Sequence, residues 1–268
     1  MTRRLNILAS VVFALLLIWV SAVSTALLLA SSEDYYKDTL RECGVYSRDN
    51  GDGTEKRRII YGIGGNMKVR ATLSDEQLDT VCEHIIDFLF GDKESFLLTL
   101  DGVKMTSGKV VDGVSIFGEN AIAHMDDVRG LIRAAGFSII PSVIALLALG
   151  IFLIKKVGAR DVIRYTLFLL LGIFIFALLF CLWSLLGSDA STPFLLKLWG
   201  NLHYILFAFN TSAYEGSFLA DALVYILTLD FFLDAVIKVV SVIGASLALW
   251  LTALYLIEKY SKRNGFLS

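Results

Sequence analysis

The sequence predicts a mainly α-helical, polytopic membrane protein: four transmembrane helices with a small extracytoplasmic α/β cap. Three observations carry that prediction. Hydrophobic residues make up 56% of the 268-residue chain, well above the balance of a water-soluble domain. They gather into four apolar runs, 5–30, 137–154, 163–187 and 231–258, each near the roughly 20 residues that a helix needs to cross the hydrocarbon core. Basic residues flank these runs on alternate sides, as a chain threading back and forth through a bilayer requires. A formal net charge of −2 supplies no global basic field, which argues against nucleic acid as a partner.

The first run, 5–30, follows Met-Thr-Arg-Arg. Its apolar part exceeds a usual signal-peptide core and no clear A-x-A site follows, so it reads as an uncleaved anchor. Arg3 and Arg4 precede it, Lys155, Lys156, Arg160 and Arg164 fill the turn between the second and third runs, and Lys259, Lys262 and Arg263 follow the fourth. The positive-inside rule makes that side cytoplasmic. Both termini are then expected on the cytoplasmic side. The two longer connections, the cap at 31–136 and an interfacial segment at 188–230, are expected outside.

Within the cap, Ser74-Asp-Glu-Gln77 reads as a capping box. Leu78, Val81, Cys82, Ile85 and Leu89 follow at helical spacing, and Gly91 is placed to stop that helix. His84 lies beside this stripe and is expected as a partly exposed surface residue. Glycine and β-branched residues around 57–71 and 96–117 suggest short strands and turns. Cys43 and Cys82 are the two cysteines available for a disulfide in the cap, while Cys181 sits in an apolar run. The chain has no CxxC spacing, so a zinc ribbon or redox motif is not supported.

Residues 117–133 should form an amphipathic helix feeding the second span, with Ile122, Met125 and Ile132 on its buried face. Asn120, His124, Asp127 and Val128 occupy neighbouring positions on it, and a carboxylate three residues after a histidine suits hydrogen bonding to one ring nitrogen. The second outer segment is too aromatic for a soluble loop, and reads as a re-entrant or interfacial stretch presenting His203. Trp183, Trp199 and Tyr204 fall where aromatic belts collect. Asp234 and Lys238 are four residues apart at the start of the fourth span, a spacing that allows pairing on one helical face. Topology places His124 and His203 in one compartment, and histidine is the side chain whose ordinary pKa suits proton transfer near neutrality.

The E-N-x-x-x-H-M-x-D-V segment at 119–128, the L-H-x-x-x-F segment at 202–207, the Asp221-x-Leu223 element followed by Phe231-Phe232, and Tyr35-Tyr36 after the first span together carry a resemblance. With four spans and an outer cap, the chain resembles the bacterial lipoprotein intramolecular transacylases. Members of that family move the sn-2 acyl chain of a diacylglyceryl-cysteine lipoprotein onto the cysteine's own α-amino group. The resemblance implies that His124 and His203 are the catalytic pair and that diacylated lipoproteins are the substrate, met within membrane lipid. It implies no cofactor and no metal. Asp127 is the candidate for orienting His124, with Glu119 and Asn120 beside it. Tyr35, Tyr36, Tyr204, Phe207, Asn210, Tyr214 and Asp221 are candidates to line the substrate pocket.

Two other classes compete. A membrane serine hydrolase would pair His203 with a serine in a span, and Ser184 is the best placed. A non-enzymatic sensor or assembly protein would use the cap to bind lipid or peptide. Metal-dependent hydrolysis is disfavoured, because the chain contains no H-E-x-x-H.

Overall fold

Seven helices carry the chain: α1 (Arg3–Ala30), α2 (Glu33–Glu42), α3 (Asp75–Phe90), α4 (Glu119–Lys156), α5 (Ala159–Leu186), α6 (Ala222–Ile226) and α7 (Leu229–Asn264) among the described residues. The computed structural model describes residues 3–49, 55–186, 194, 197–198, 200–201 and 221–264. Four helices are long and apolar enough to cross a membrane, with candidate spans Arg3–Ala30, Glu119–Lys156, Ala159–Ser184 and Leu229–Tyr260. The protein is therefore mainly helical and multi-pass, with a small sheet-containing region between the first and second spans. The amphipathic stretch expected before the second run is continuous with it in α4, whose last turn carries Lys155 and Lys156.

The described residues fall into two compact units. The first draws on Met1–Ala26, Ala135–Asn201 and Ile237–Ser268. Its core is Ala9, Phe13, Leu153, Val162 and Leu254, with Leu17, Leu149 and Trp250 packed against them. The Phe13 and Trp250 rings lie 4.3 Å apart. A Cβ built on Gly150 would come within 3.2 Å of the Phe13 ring, so glycine there lets α1 and α4 approach closely. Val157 and Gly158 alone separate α4 from α5. The Gly158 N–H returns to the Leu153 carbonyl at 3.3 Å, and its φ of +89° is the left-handed conformation with which glycine ends a helix. Outside these contacts the apolar residues of α4, α5 and α7 are largely exposed, as helices facing lipid should be.

The second unit draws on Leu27–Ala134 and on 202–236, of which the structure describes Asp221 onward. Its strands are β1 (Arg48–Asp49), β2 (Glu55–Lys56), β3 (Ile59–Tyr61), β4 (Arg70–Thr72), β5 (Thr99–Leu100), β6 (Val103–Met105), β7 (Val110–Val111) and β8 (Val114–Ser115). An antiparallel four-stranded sheet runs β3-β4-β6-β7, with Ala71 opposite both Ile60 and Met105. Strands β1 and β2 pair separately, as do β5 and β8. Ile60, Ala71 and Val103 point inward and are buried, which is the period-two pattern of a sheet with one wet face.

Helix α3 covers the inner side. Its capping box forms as the sequence predicts: Gln77 N–H donates to Ser74 Oγ at 3.1 Å, and Ser74 N–H donates to Gln77 Oε1 at 2.9 Å. Leu78, Val81, Cys82, Ile85, Phe88 and Leu89 are buried in one core with Tyr36, Leu40, Phe96, Phe117, Ala121, Met125, Leu223, Ile226 and Phe231. Each large apolar side chain so enclosed contributes about 1.5–3 kcal/mol. Cys43 and Cys82 are free thiols.

Candidate functional site

Helix α4 presents His124 inward. Ala121, Met125, Val128 and Ile132 recur at helical spacing and pack on the core of the second unit, so the residue at 124 shares their face. His124 is 5% exposed, so it does not sit on a solvated helix surface. Asp127 is half-buried one turn further along α4, whereas Glu119 and Asn120 are exposed at its first turn. Of the expected buried-face residues, Met125 is enclosed and Ile122 and Ile132 are partly so.

The segments after α1 and at the start of α7 meet in an aromatic cluster. Ring centroids of Tyr35 and Tyr36 lie 5.4 Å and 5.1 Å from Phe231, and Phe231 lies 5.4 Å from Phe232. The Tyr35 hydroxyl donates to the Phe231 carbonyl at 3.4 Å. Burial, followed by its hydrogen bond to Asp234, holds the Tyr35 hydroxyl well above the usual phenol range. Tyr36 is fully enclosed and is pushed up mainly by burial. Tyr35 and Tyr36, expected along the pocket, therefore anchor the beginning of α2 to the beginning of α7. Ser32 helps from the other side, its hydroxyl accepting the Tyr35 N–H as N-cap of α2.

Asp221 is 1% exposed. Its Oδ2 accepts the Gly118 N–H at 2.7 Å and its Oδ1 accepts the Leu223 N–H at 3.0 Å. Burial raises its pKa, and the two backbone donors pull the other way. This carboxylate, expected among the substrate-pocket residues, is buried and faces two backbone amides.

His84 departs from its expected exposure. It is 5% exposed, not partly solvated. Its Nε2 lies 3.1 Å from the Phe96 carbonyl and its Nδ1 lies 3.2 Å from the Lys93 ammonium. A carbonyl accepts and an ammonium donates, so the ring is neutral with its proton on Nε2. Burial lowers its pKa, and the Lys93 charge adds to that.

Sequence reasoning missed the glycines that surround Asp221. Gly62 and Gly65 both have φ of +76°, the Gly64 N–H donates to the Ile116 carbonyl at 3.0 Å, and the Gly62 carbonyl accepts the Ala222 N–H at 3.0 Å. A Cβ on Gly118 would sit 2.6 Å from Gly65 Cα. The visible clue was three glycines in the four residues 62–65, and a fourth at 118 just ahead of the E-N-x-x-x-H segment.

His203, Tyr204, Phe207, Asn210 and Tyr214 lie outside the described residues. Among the described residues, no group of three or more His, Cys, Asp or Glu side chains is placed to hold a metal ion. An open cavity of about 620 Å³ on the sheet is lined by Arg57, Ile59, Thr72, Lys104, Met105, Thr106 and Gly108, and contains none of the candidate residues.

The fold and the buried histidine define a class: a multi-pass helical membrane protein whose second unit pairs a small sheet with an inward-facing histidine helix. A family model described as lipoprotein intramolecular transacylase Lit matches residues 8–232. Among solved structures, the in meso structure of the membrane integral lipoprotein intramolecular transacylase Lit from Bacillus cereus is similar, with a TM-score of 0.61 and 14% identity over 98% of this chain and 100% of that one. At that identity the likeness speaks for the fold alone. No curated protein sequence matches the chain. The chain belongs to the lipoprotein intramolecular transacylase family, a family of membrane acyltransferases that act on lipoproteins.

Proposed function

We propose that this protein moves the sn-2 acyl chain of a diacylglyceryl-cysteine lipoprotein to the α-amine of the same cysteine, using His124 and His203 as general acid and base. The observation that carries the reading is His124 itself, buried on the inner face of α4 within the family-matched residues. The amine nitrogen attacks the sn-2 ester carbonyl, an amide C–N bond forms, and the ester C–O bond breaks. One proton leaves the nitrogen and one is delivered to the departing glyceryl oxygen, which becomes a hydroxyl. Imidazole, whose ordinary pKa lies near neutrality, is suited by its chemistry to both roles. No enzyme nucleophile is needed, because the substrate supplies its own. Binding contributes by folding amine and ester together. Asp127, one turn beyond His124, is the orienting group in this reading, with the cap on the outer side of the plasma membrane and both termini in the cytoplasm.

Expression in a bacterium whose lipoproteins stay diacylated, followed by mass spectrometry of their N-terminal peptides, tests this. The expected result is N-acylated, S-monoacylglyceryl peptides with the wild-type chain, and none with His124→Ala or His203→Ala. Peptides that stay diacylated with the wild type refute the activity. Equal transfer in both variants refutes the site.

A further inference from the structure

Asp221 sits where three segments close on one another with no room for a side chain. Residues 62–65, 116–118 and 221–223 are joined by Gly64 N–H to Ile116 O at 3.0 Å, Ala222 N–H to Gly62 O at 3.0 Å and Gly118 N–H to Asp221 Oδ2 at 2.7 Å. A Cβ on Gly118 would stand 2.9 Å from that same Oδ2. Capping the five-residue α6 requires one side-chain oxygen on the Leu223 N–H, which Ser, Thr or Asn also supplies. The second oxygen does something else: it reaches 103 residues back in sequence to the residue just before α4. The Gly118 carbonyl in turn accepts the Ile122 N–H at 3.1 Å, so the same residue begins the hydrogen bonding of the histidine helix.

Enclosing a carboxylate costs several kcal/mol unless its bonds are good, and a neutral residue would cap α6 without that cost. What the charge adds is a short, charge-assisted bond at a defined point. One residue of slip in α4 turns each side chain by about 100°, enough to carry His124 off the face it shares with Ala121 and Met125. A tether six residues before His124 resists such a slip.

We infer that Asp221 is a positioning residue for acyl transfer: by holding the Gly118 amide it sets the start of α4 and hence the placement of His124. This rests on the proposed role of His124. The assay is transfer within a synthetic diacylglyceryl-cysteinyl peptide by the purified full-length protein in detergent micelles. In Asp221→Asn, which keeps the size and a capping oxygen, kcat should fall about tenfold or more while KM stays within about threefold. Hydrogen exchange at the amides of 118–124 should quicken. Leu40→Ala, buried in α2, serves as a control that loses stability while leaving the Asp221–Gly118 bond in place. A kcat in Asp221→Asn above half of wild type, or a loss no greater than that of the control, overturns the inference. Where Asp221→Asn fails to fold, Asp221→Ser keeps an oxygen to cap α6, gives up the second bond to Gly118 and is judged by the same two criteria. Failure of the underlying reading looks different: His124→Ala then retains full transfer whatever Asp221 does.

Discussion

Arg129 offers a perturbation whose size follows from the structure. It leaves α4 five residues after His124 and reaches the end of α3. Its guanidinium donates to the Lys93 carbonyl at 2.7 Å and to the Gly91 carbonyl at 3.3 Å, and its Cζ lies 4.7 Å from the Phe88 ring centroid. Arg129→Met keeps most of the aliphatic stem and removes all three contacts. A bond from a charged donor contributes about 1.5–3 kcal/mol when well formed. The Lys93 bond is short but solvent-exposed, which brings it to about 1 kcal/mol, and the longer Gly91 bond counts for about half that. The cation–π contact adds about 0.5–1 kcal/mol. Against these stands the buried Arg129 Nε, which has no hydrogen-bond partner among the described residues and whose desolvation methionine avoids.

The net expectation for Arg129→Met is a loss of about 1–1.5 kcal/mol. For Arg129→Lys, which keeps the charge near the α3 C-terminus but loses the fork, it is about 1 kcal/mol. Reversible unfolding of the purified protein in mixed micelles measures the stability change, and hydrogen exchange at the amides of 89–95 locates it. A change below about 0.5 kcal/mol in Arg129→Met, or unaltered exchange at the end of α3, would refute the account of how α4 is tied to α3.

Three further outcomes are expected. His84 has a folded pKa below its usual 6.5, so above that pH neither folded nor unfolded chain carries the proton. As pH falls below it the unfolded chain protonates first and stability declines; unfolding at about pH 7.5 and 5.5 should show this loss, and His84→Gln should shrink it while retaining transfer, since both ring nitrogens are already engaged. Cys82 is fully buried and its thiol is pushed up to about 11 by that burial, so maleimide labelling at about pH 8 should modify half-buried Cys43 well before Cys82; equal rates would mean the cap opens readily. Ser184 is buried, and its Oγ accepts a hydrogen bond from Asn201 Nδ2 at 3.0 Å; Ser184→Ala should leave acyl transfer intact, and its abolition would revive the serine-hydrolase reading.

What the sequence revealed depended on the range of the interaction involved. The four spans are properties of contiguous runs, because a helix in lipid satisfies its own backbone and needs only length and apolarity. The capping box of α3 is equally local, four residues carrying both halves of a reciprocal bond. Helix α4 could be placed for the same reason, since Met125, Ile122 and Ile132 mark its inner face by spacing alone. His84 escaped because the α3 stripe is wider than its apolar residues suggest. Phe96, twelve residues away, stacks on Phe117 at 4.5 Å and lies tilted against Phe88 at 5.1 Å, and its carbonyl satisfies the ring that helical periodicity had left at the edge.

Asp221 is the sharper case. It is the N-cap of the short α6, a role the sequence reading did not assign to it. Its second bond joins positions 118 and 221, with two whole spans between them, and no periodicity reaches so far. The glycines are the trace such a contact leaves in one dimension: backbone meets backbone closely only where a Cβ is missing. A cluster like Gly62-Ile-Gly-Gly65 therefore carries more information about long-range closure than about local turn type. An acid that caps one helix and has a glycine amide as its second partner ties two distant segments through their backbones, and such a tie holds a helix in place without using any of the side chains that the chemistry requires.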